Sequence, residues 1–477
     1  MGLNKEDRAD RHLSRGTLGA ADITFMVVAV AAPVAVVVAT MPLAFALGNG
    51  PGVAGTYVLV AVAMTLLALG YVKLVPRIPN AGAFYAIIAA SFGRVWGLAA
   101  AYVALLSYMC LCAATLGALA FFTSDLLARS AGITVSWAVC AMLALVVLTA
   151  LSFYRLTLTA SILGVALAAE VLLILVLDIS ILVQNGGSLP IVAVSPGAVF
   201  APGFGIATIY AFNSCIGFEG TAIYQEEARD RERTIPRATY AFIVVVAVFY
   251  VFTAWCLTAA AGAASVKEVA GRDPGHFVFS VARDHLGQTA ETILACLVIT
   301  SAFAAVLGIF NNSARYLFAL SRDGVLPQRF AQVHPKYGSP FAAGLPIVIV
   351  MVIVVLGFWL AGLDPLLSLA TALTGIGSVG LMALLALTGF AIPVFFRNQK
   401  SQKLSTTFLP AIGGIMITFA TVFSVLNYSA LTGSTSPLIN SLPLLLVVAG
   451  LVGAGQALWL KAKRPNDYDR IGNTVMV

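Results

Sequence analysis

Two carboxylates define the chemistry open to this sequence. It has 20 Asp and Glu residues, nearly all among polar neighbours, but Glu170 and Glu219 stand deep inside apolar runs. An ionised side chain near a bilayer centre costs at least about 2.5–3.5 kcal/mol on insertion scales. A carboxyl there either takes up and releases a proton as water reaches it, or stays neutral and ties a helix to its neighbour. Glu219 lies between Gly217 and Gly220, while Glu170 has no other polar group nearby in its run except Ser161; for both, proton coupling and a structural tie remain open. Asp178, nearer the outer end of the same run as Glu170, is expected at the membrane interface. Asp22 reads as an N-terminal helix charge.

The missing residue types matter as much. No Lys or Arg falls near the centre of an apolar run, so a negative or zwitterionic ligand would have to use helix N-terminal amides, whereas a cationic one could use the glutamates. His12, His276, His285 and His334 all lie in polar connections, which leaves no intramembrane histidine for a proton relay or a metal. Cys110, Cys112, Cys140, Cys215, Cys256 and Cys296 fall in apolar stretches without metal-ligand spacing and read as free thiols. There is no H-E-x-x-H, G-x-S-x-G or G-x-x-x-x-G-K-[ST] pattern. No enzyme, cofactor or metal is expected, and the sequon at Asn427 reads as chance.

The elements that must hold these residues are membrane spans. Of 477 residues, 60% are hydrophobic and 10% charged, against about 25% charged in soluble domains. A span needs about 20 apolar residues, and a window of that length finds twelve segments, near 20–47, 53–75, 94–124, 136–153, 160–183, 203–225, 238–262, 290–320, 343–361, 366–392, 405–428 and 441–461. The basic run Lys5, Arg8, Arg11 and Arg15 resembles the start of a secretory signal, but the apolar stretch after it is too long and lacks a cleavage site, so the first span is expected to be retained. Counted by side, 23 of the 27 Lys and Arg fall with the two tails and only Arg129, Lys267, Arg272 and Arg283 opposite. The net charge of +7 is therefore topological, with both termini expected in the cytoplasm, and implies no nucleic-acid partner.

A faint repeat divides the chain. Gly82-Ala83-Phe84 followed by Gly93 comes after the second segment, and Gly275-His276-Phe277 followed by Gly287 comes after the seventh. An offset of five spans inverts the second copy in the membrane. The expected division is a tail 1–19, a first repeat 20–183, a second repeat 203–392, two further spans within 405–461, and a tail 462–477. Inverted repeats place the substrate where equivalent helices are interrupted. The first segment carries Pro33 and Pro42 around Ala35-Val36-Val37-Val38-Ala39-Thr40, and the sixth carries Phe212-Asn213-Ser214-Cys215-Ile216-Gly217 ahead of Glu219.

Three stretches resemble the amino acid-polyamine-organocation superfamily of permeases. They are Ile216-Gly217-Phe218-Glu219 with Glu226-Glu227 and Arg233 to Ala238; Pro79 to Tyr85, similar to a P-x-A-G-G-x-Y segment; and Asn312 to Arg315 with Ser321-Arg322-Asp323-Gly324-Val325-Leu326-Pro327. The resemblance implies an all-α, leucine-transporter-like fold of five plus five inverted helices and two more. It implies a multi-pass permease of the cytoplasmic membrane that moves an amino acid or related amine by alternating access, coupled to protons or acting as an exchanger. Sodium symport and a non-transporting nutrient sensor are the alternatives. It places the ligand's amino and carboxyl groups at Ala35 to Thr40 and Phe212 to Gly217, and gating by a proton at Glu219. Two departures stand out. The family's G-[ST]-G, seven residues before a proline, becomes Ala35-Val36-Val37 here, and Glu170 stands near where several relatives place a sodium-substituting lysine. With Val36, Val37 and Val38 facing Phe212 and Ile216, a compact apolar pocket for small neutral or aliphatic ligands is expected.

Overall fold

A computed structural model describes residues 18–78, 83–154, 160–226, 228–334, 340–398, 403–432 and 440–472. Lys5, Arg8, Arg11, Arg15, Pro79 to Gly82, Arg155, Glu227, Lys336 and Lys400, used in the sequence reading, lie outside the described residues, as does the Ser161 side chain. The described chain is helical, and its one β-bridge joins Leu18 to Ala228.

The helices that position the site are α1 (Ala20–Ala31), α2 (Met41–Leu47), α3 (Val53–Leu74), α4 (Phe84–Phe92), α5 (Arg94–Ala131), α6 (Trp137–Tyr154), α7 (Ala160–Gln184), α8 (Phe204–Asn213), α9 (Arg231–Ala261), α10 (Phe277–Leu286), α11 (Gln288–Arg322), α12 (Phe341–Leu360), α13 (Thr371–Phe396), α14 (Leu409–Leu426), α15 (Leu444–Lys463) and α16 (Pro465–Arg470). Among the described residues, ten helical stretches are long and apolar enough to cross a membrane, and two shorter apolar helices, Trp137–Ser152 and Phe204–Asn213, stand at the fourth and sixth segments.

Most of these helices are apolar all round, as a lipid-bathed bundle requires. On α12, Gly344, Ile347, Met351 and Val355 are buried, whereas Leu345, Ile349 and Ile353 are exposed; one stripe packs and the other meets lipid. Small residues let backbones approach closely: a Cβ on Gly389 of α13 would come within 2.6 Å of Gly414 Cα on α14.

Two segments share one plan. Short helix α4 ends at Gly93 (φ +97°) before the 38-residue α5, and short helix α10 ends at Gly287 (φ +88°) before the 35-residue α11. Both ends of the described chain meet the same end of the bundle. The Arg229 N–H donates to the Leu18 carbonyl at 2.9 Å. Arg94, at the start of α5, pairs with Asp469 at 2.7 Å, and the Gly472 N–H donates to Asp323, just after α11, at 3.3 Å. On the opposite end, His276 before α10 contacts Asp125 of α5 at 3.3 Å, and Arg283 grips Glu291. At the start of α1, Asp22 accepts from the Gly19 N–H at 2.8 Å, as a first-turn carboxylate should.

Candidate functional site: two interrupted helices around a cavity

The first membrane segment breaks at Ala32. That residue is left-handed (φ 44°, ψ 71°), and Pro33 follows it. A residue before proline is disfavoured in the right-handed helical region, and proline has no N–H to continue the ladder. The chain regains helix over Pro33–Ala35, passes through a wide π-turn at Val36–Thr40, and enters α2 at Met41. The interruption thus lies three residues before the Ala35 to Thr40 stretch in which the sequence reading placed it; those residues are helical. Polar groups freed by the break find side chains: the Tyr250 hydroxyl donates to the Ala31 carbonyl at 3.1 Å, and the Ala35 N–H donates to Ser301 Oγ at 3.3 Å.

The sixth segment breaks where glycine permits it. Helix α8 ends at Asn213, successive turns run from Ser214 to Glu219, and a short helix, Gly220–Ile223, resumes. Gly217 has φ +110°, and a Cβ there would lie 2.6 Å from the Val27 carbonyl oxygen of α1. Only glycine lets this turn rest on the last turns of the first helix.

Between the breaks lies a cavity of about 60 Å³. It brings together Ala35, Val36, Ala39 and Thr40 from the first segment with Asn213 and Ile216 from the sixth. Val37, Val38, Phe212, Ser214, Cys215 and Gly217 are buried away from it, Ser214 being tied to the Tyr57 hydroxyl at 2.9 Å. Of the three valines expected to line an apolar pocket only Val36 reaches the cavity, because successive residues of a helix are turned about 100° from one another; most of the lining is nevertheless apolar, with Val30, Ala118, Phe122 and Ile309 among it. Part of the remaining wall is polar, with Thr115, Tyr210, Thr371 and Thr374, none of which the sequence reading singled out. Among the described residues no Lys, Arg, His, Asp or Glu lines it.

The two glutamates flank the cavity without lining it. Glu219 is buried; the Tyr108 hydroxyl donates to its Oε1 at 2.8 Å and the Gly217 N–H to its Oε2 at 3.3 Å. Tyr108 leads into an aromatic file, with ring centroids 5.6 Å from Tyr316, which stands 6.1 Å from Tyr85. The Tyr85 hydroxyl donates to the Asp323 carboxylate, and the Tyr85 N–H to the Tyr316 hydroxyl at 3.3 Å. Two of the stretches that resembled the permeases thus meet each other, on the way from Glu219 to the end of the bundle that holds both ends of the described chain. Glu170 is also buried; the Thr300 hydroxyl donates to it at 3.4 Å, and the Ser301 hydroxyl beside it is the group that accepts from Ala35. Its partners come from α11, so no reading of its own segment could find them.

Asp178, expected near the membrane interface, is fully buried against neighbouring helices. Thr253 of α9 donates to Oδ2 at 2.7 Å, and Oδ1 has no partner. Thr253→Val should strand both oxygens and cost about 1–3 kcal/mol, seen as a lower unfolding temperature in detergent. The double variant Asp178→Leu/Thr253→Val should recover most of that loss, because replacing both partners leaves nothing unsatisfied; equal melting of the single variant and wild type would refute the assignment.

Among the described residues no group of three or more His, Cys, Asp or Glu could hold a metal ion. A bundle of membrane-length helices with two interrupted helices facing one cavity defines a multi-pass membrane protein of leucine-transporter-like architecture. Comparison with known proteins gives the same class. The amino acid permease family matches residues 18–451, and the chain belongs to it; it is a permease, not an enzyme. It is 24% identical over 405 residues to the branched-chain amino acid permease BcaP of Bacillus subtilis, covering 80% of this chain and 82% of that one. It is 26% identical over 375 residues to the low-affinity putrescine importer PlaP of Escherichia coli, covering 76% and 78%. The structure of the Eremococcus coleocola manganese transporter aligns with a TM-score of 0.52 at 14% identity, over 98% of this chain and all of that one; at that identity the likeness concerns the fold alone.

Proposed function

We propose that this permease is a secondary transporter of a small neutral amino acid in the cell membrane, working by alternating access with a proton as the coupling ion. The observation that carries the reading is the uncharged cavity between two helix interruptions of opposite polarity. The helix resuming at Pro33 offers its N-terminal end and α8 its C-terminal end. Helix N-termini favour anions and C-termini cations, so the pair suits a carboxylate at one break and an ammonium at the other. With no carboxylate among the described residues of the wall, a second positive charge on the ligand has no partner there, which favours a neutral amino acid over a diamine.

The shared plan of α4–α5 and α10–α11, with breaks five spans apart, supports two inverted repeats over 20–183 and 203–392. The 23 to 4 split of basic residues supports twelve spans with both termini in the cytoplasm. In this reading the ionised Glu219 holds the interrupted sixth segment to α5 through Tyr108, and protonation releases that hold; Glu170, next to the first break, is the other candidate for the proton. Its surroundings, a carboxylate with the Thr300 and Ser301 hydroxyls, also suit a monovalent cation, so sodium coupling is the second reading.

Purified protein in liposomes should accumulate neutral amino acids when the outside is acidified, with unlabelled substrate driving counterflow, and replacing sodium by choline at fixed pH should leave uptake unchanged. Binding without flux would replace the transporter with a sensor. Uptake that requires sodium would replace the proton.

A further inference from the structure

The cavity holds more uncommitted hydrogen-bonding groups than a zwitterionic head group uses. Thr115 gives its hydroxyl to the Leu111 carbonyl at 2.8 Å, and Thr371 gives its hydroxyl to the Leu366 carbonyl at 3.0 Å. The Tyr210 hydroxyl, by contrast, is buried with only the Thr371 side chain approaching it and no hydrogen bond of normal geometry; among the described residues the half-buried Thr40 and Thr374 hydroxyls and the Asn213 amide nitrogen donate to no protein group. Buried polar groups are nearly always satisfied, and an exception signals something missing from the protein atoms alone. Thr40 and Asn213 stand beside the two breaks, where head groups belong. Tyr210 precedes Asn213 by three residues, about 4.5 Å along the helix axis, and Thr374 approaches from α13, the neighbouring helix.

Resting on the reading of this cavity as an amino acid site, we infer that its substrate carries a hydroxyl on a short side chain, and that Tyr210 and Thr374 are the residues that select for it. Each is both donor and acceptor, as a ligand hydroxyl is. Size agrees. A water requires on the order of 10–15 Å³ of such space, so about 60 Å³ takes a small ligand on the scale of serine, threonine or valine, and below that of leucine or isoleucine; size alone does not separate threonine from valine. An apolar isostere would leave the Tyr210 hydroxyl buried and unpaired, and sites built to bond a hydroxyl reject analogues that lack it far more strongly than apolar pockets reject an extra one.

Threonine and valine have nearly the same shape and differ by that hydroxyl, so they form the test. Initial uptake and competition in liposomes should favour threonine over valine by about tenfold or more, the consequence of one unpaired buried hydroxyl. Tyr210→Phe removes a hydroxyl that makes no hydrogen bond of normal geometry within the described protein, so the fold should be kept, as a single symmetric size-exclusion peak would verify. The preference for threonine over valine should shrink severalfold. Thr374→Val provides the same readout from the other helix. Valine carried as well as threonine would overturn the inference while leaving the amino acid reading intact. A preference untouched in both variants would overturn the assignment to these residues. Uptake of putrescine with no competition by any neutral amino acid would overturn the underlying reading, and this inference with it.

Discussion

Replacing Glu219 with glutamine is expected to leave the protein folded and substrate bound, and to abolish accumulation driven by a pH gradient. The hydrogen bonds explain why glutamine is the informative change. In the ionised state both carboxylate oxygens accept, one from the Tyr108 hydroxyl and one from the Gly217 N–H. A backbone N–H can only donate, but a tyrosine hydroxyl can turn and accept. Protonation of Oε1 therefore requires only that Tyr108 rotate its proton away, and glutamine with its NH₂ toward Tyr108 reproduces that donor pattern with one additional N–H. The variant fixes the site in the protonated pattern.

In one-to-one symport a unit of pH difference is worth about 1.4 kcal/mol, or about tenfold accumulation. The variant should fall to equal concentrations on both sides while retaining counterflow between labelled and unlabelled substrate. Tyr108→Phe separates the roles further: it removes the donor and keeps the carboxyl, so coupling should weaken without vanishing. Gradient-driven accumulation equal to wild type in Glu219→Gln would remove Glu219 as the proton carrier. The same experiment on Glu170→Gln would then decide whether the proton sits at the first break instead.

How much of this was legible beforehand depended on how local each signal is. Membrane segments announce themselves because hydropathy accumulates over about 20 residues, and the described helices follow the apolar windows closely. The break in the sixth segment was legible because Gly217 and Gly220 interrupt an apolar run. The break in the first segment was misplaced because no glycine marks it; the available signal was the pair Ala32-Pro33, since proline constrains the residue before it. Which valine faces the cavity could not be read, because a helix apolar on every side carries no periodic contrast between its faces. For the same reason Tyr210, Thr371 and Thr374 passed unnoticed. Threonines in apolar helices commonly return their hydroxyl to a carbonyl one turn back, as Thr115 does, and sequence does not distinguish one that does from one that does not. The burial of Asp178 could not be read from its own segment because its partner Thr253 is 75 residues away, and only the packing of α7 on α9 buries it.

Gly217→Ala is expected to be the most damaging single-methyl change in the site. Positive φ at a non-glycine residue costs about 1–3 kcal/mol, and here a Cβ would also stand 2.6 Å from the Val27 carbonyl oxygen, a backbone atom that cannot swing aside as a side chain can. Relief requires moving either the turn at Ser214–Glu219 or the last turns of α1, and those are the two walls of the cavity. The Gly217 N–H also anchors Glu219 at 3.3 Å, so any shift of the turn disturbs the carboxylate as well. Gly197 is the control: a Cβ there meets nothing within 4 Å, and Gly197→Ala should stay within about 0.5 kcal/mol of wild type. Thermal unfolding in detergent, read alongside substrate binding, should show Gly217→Ala melting several degrees lower with weakened binding, and Gly197→Ala unchanged in both. If the two variants melt and bind alike, the two interrupted helices do not rest on one another through Gly217, and the cavity between them is held open by other contacts.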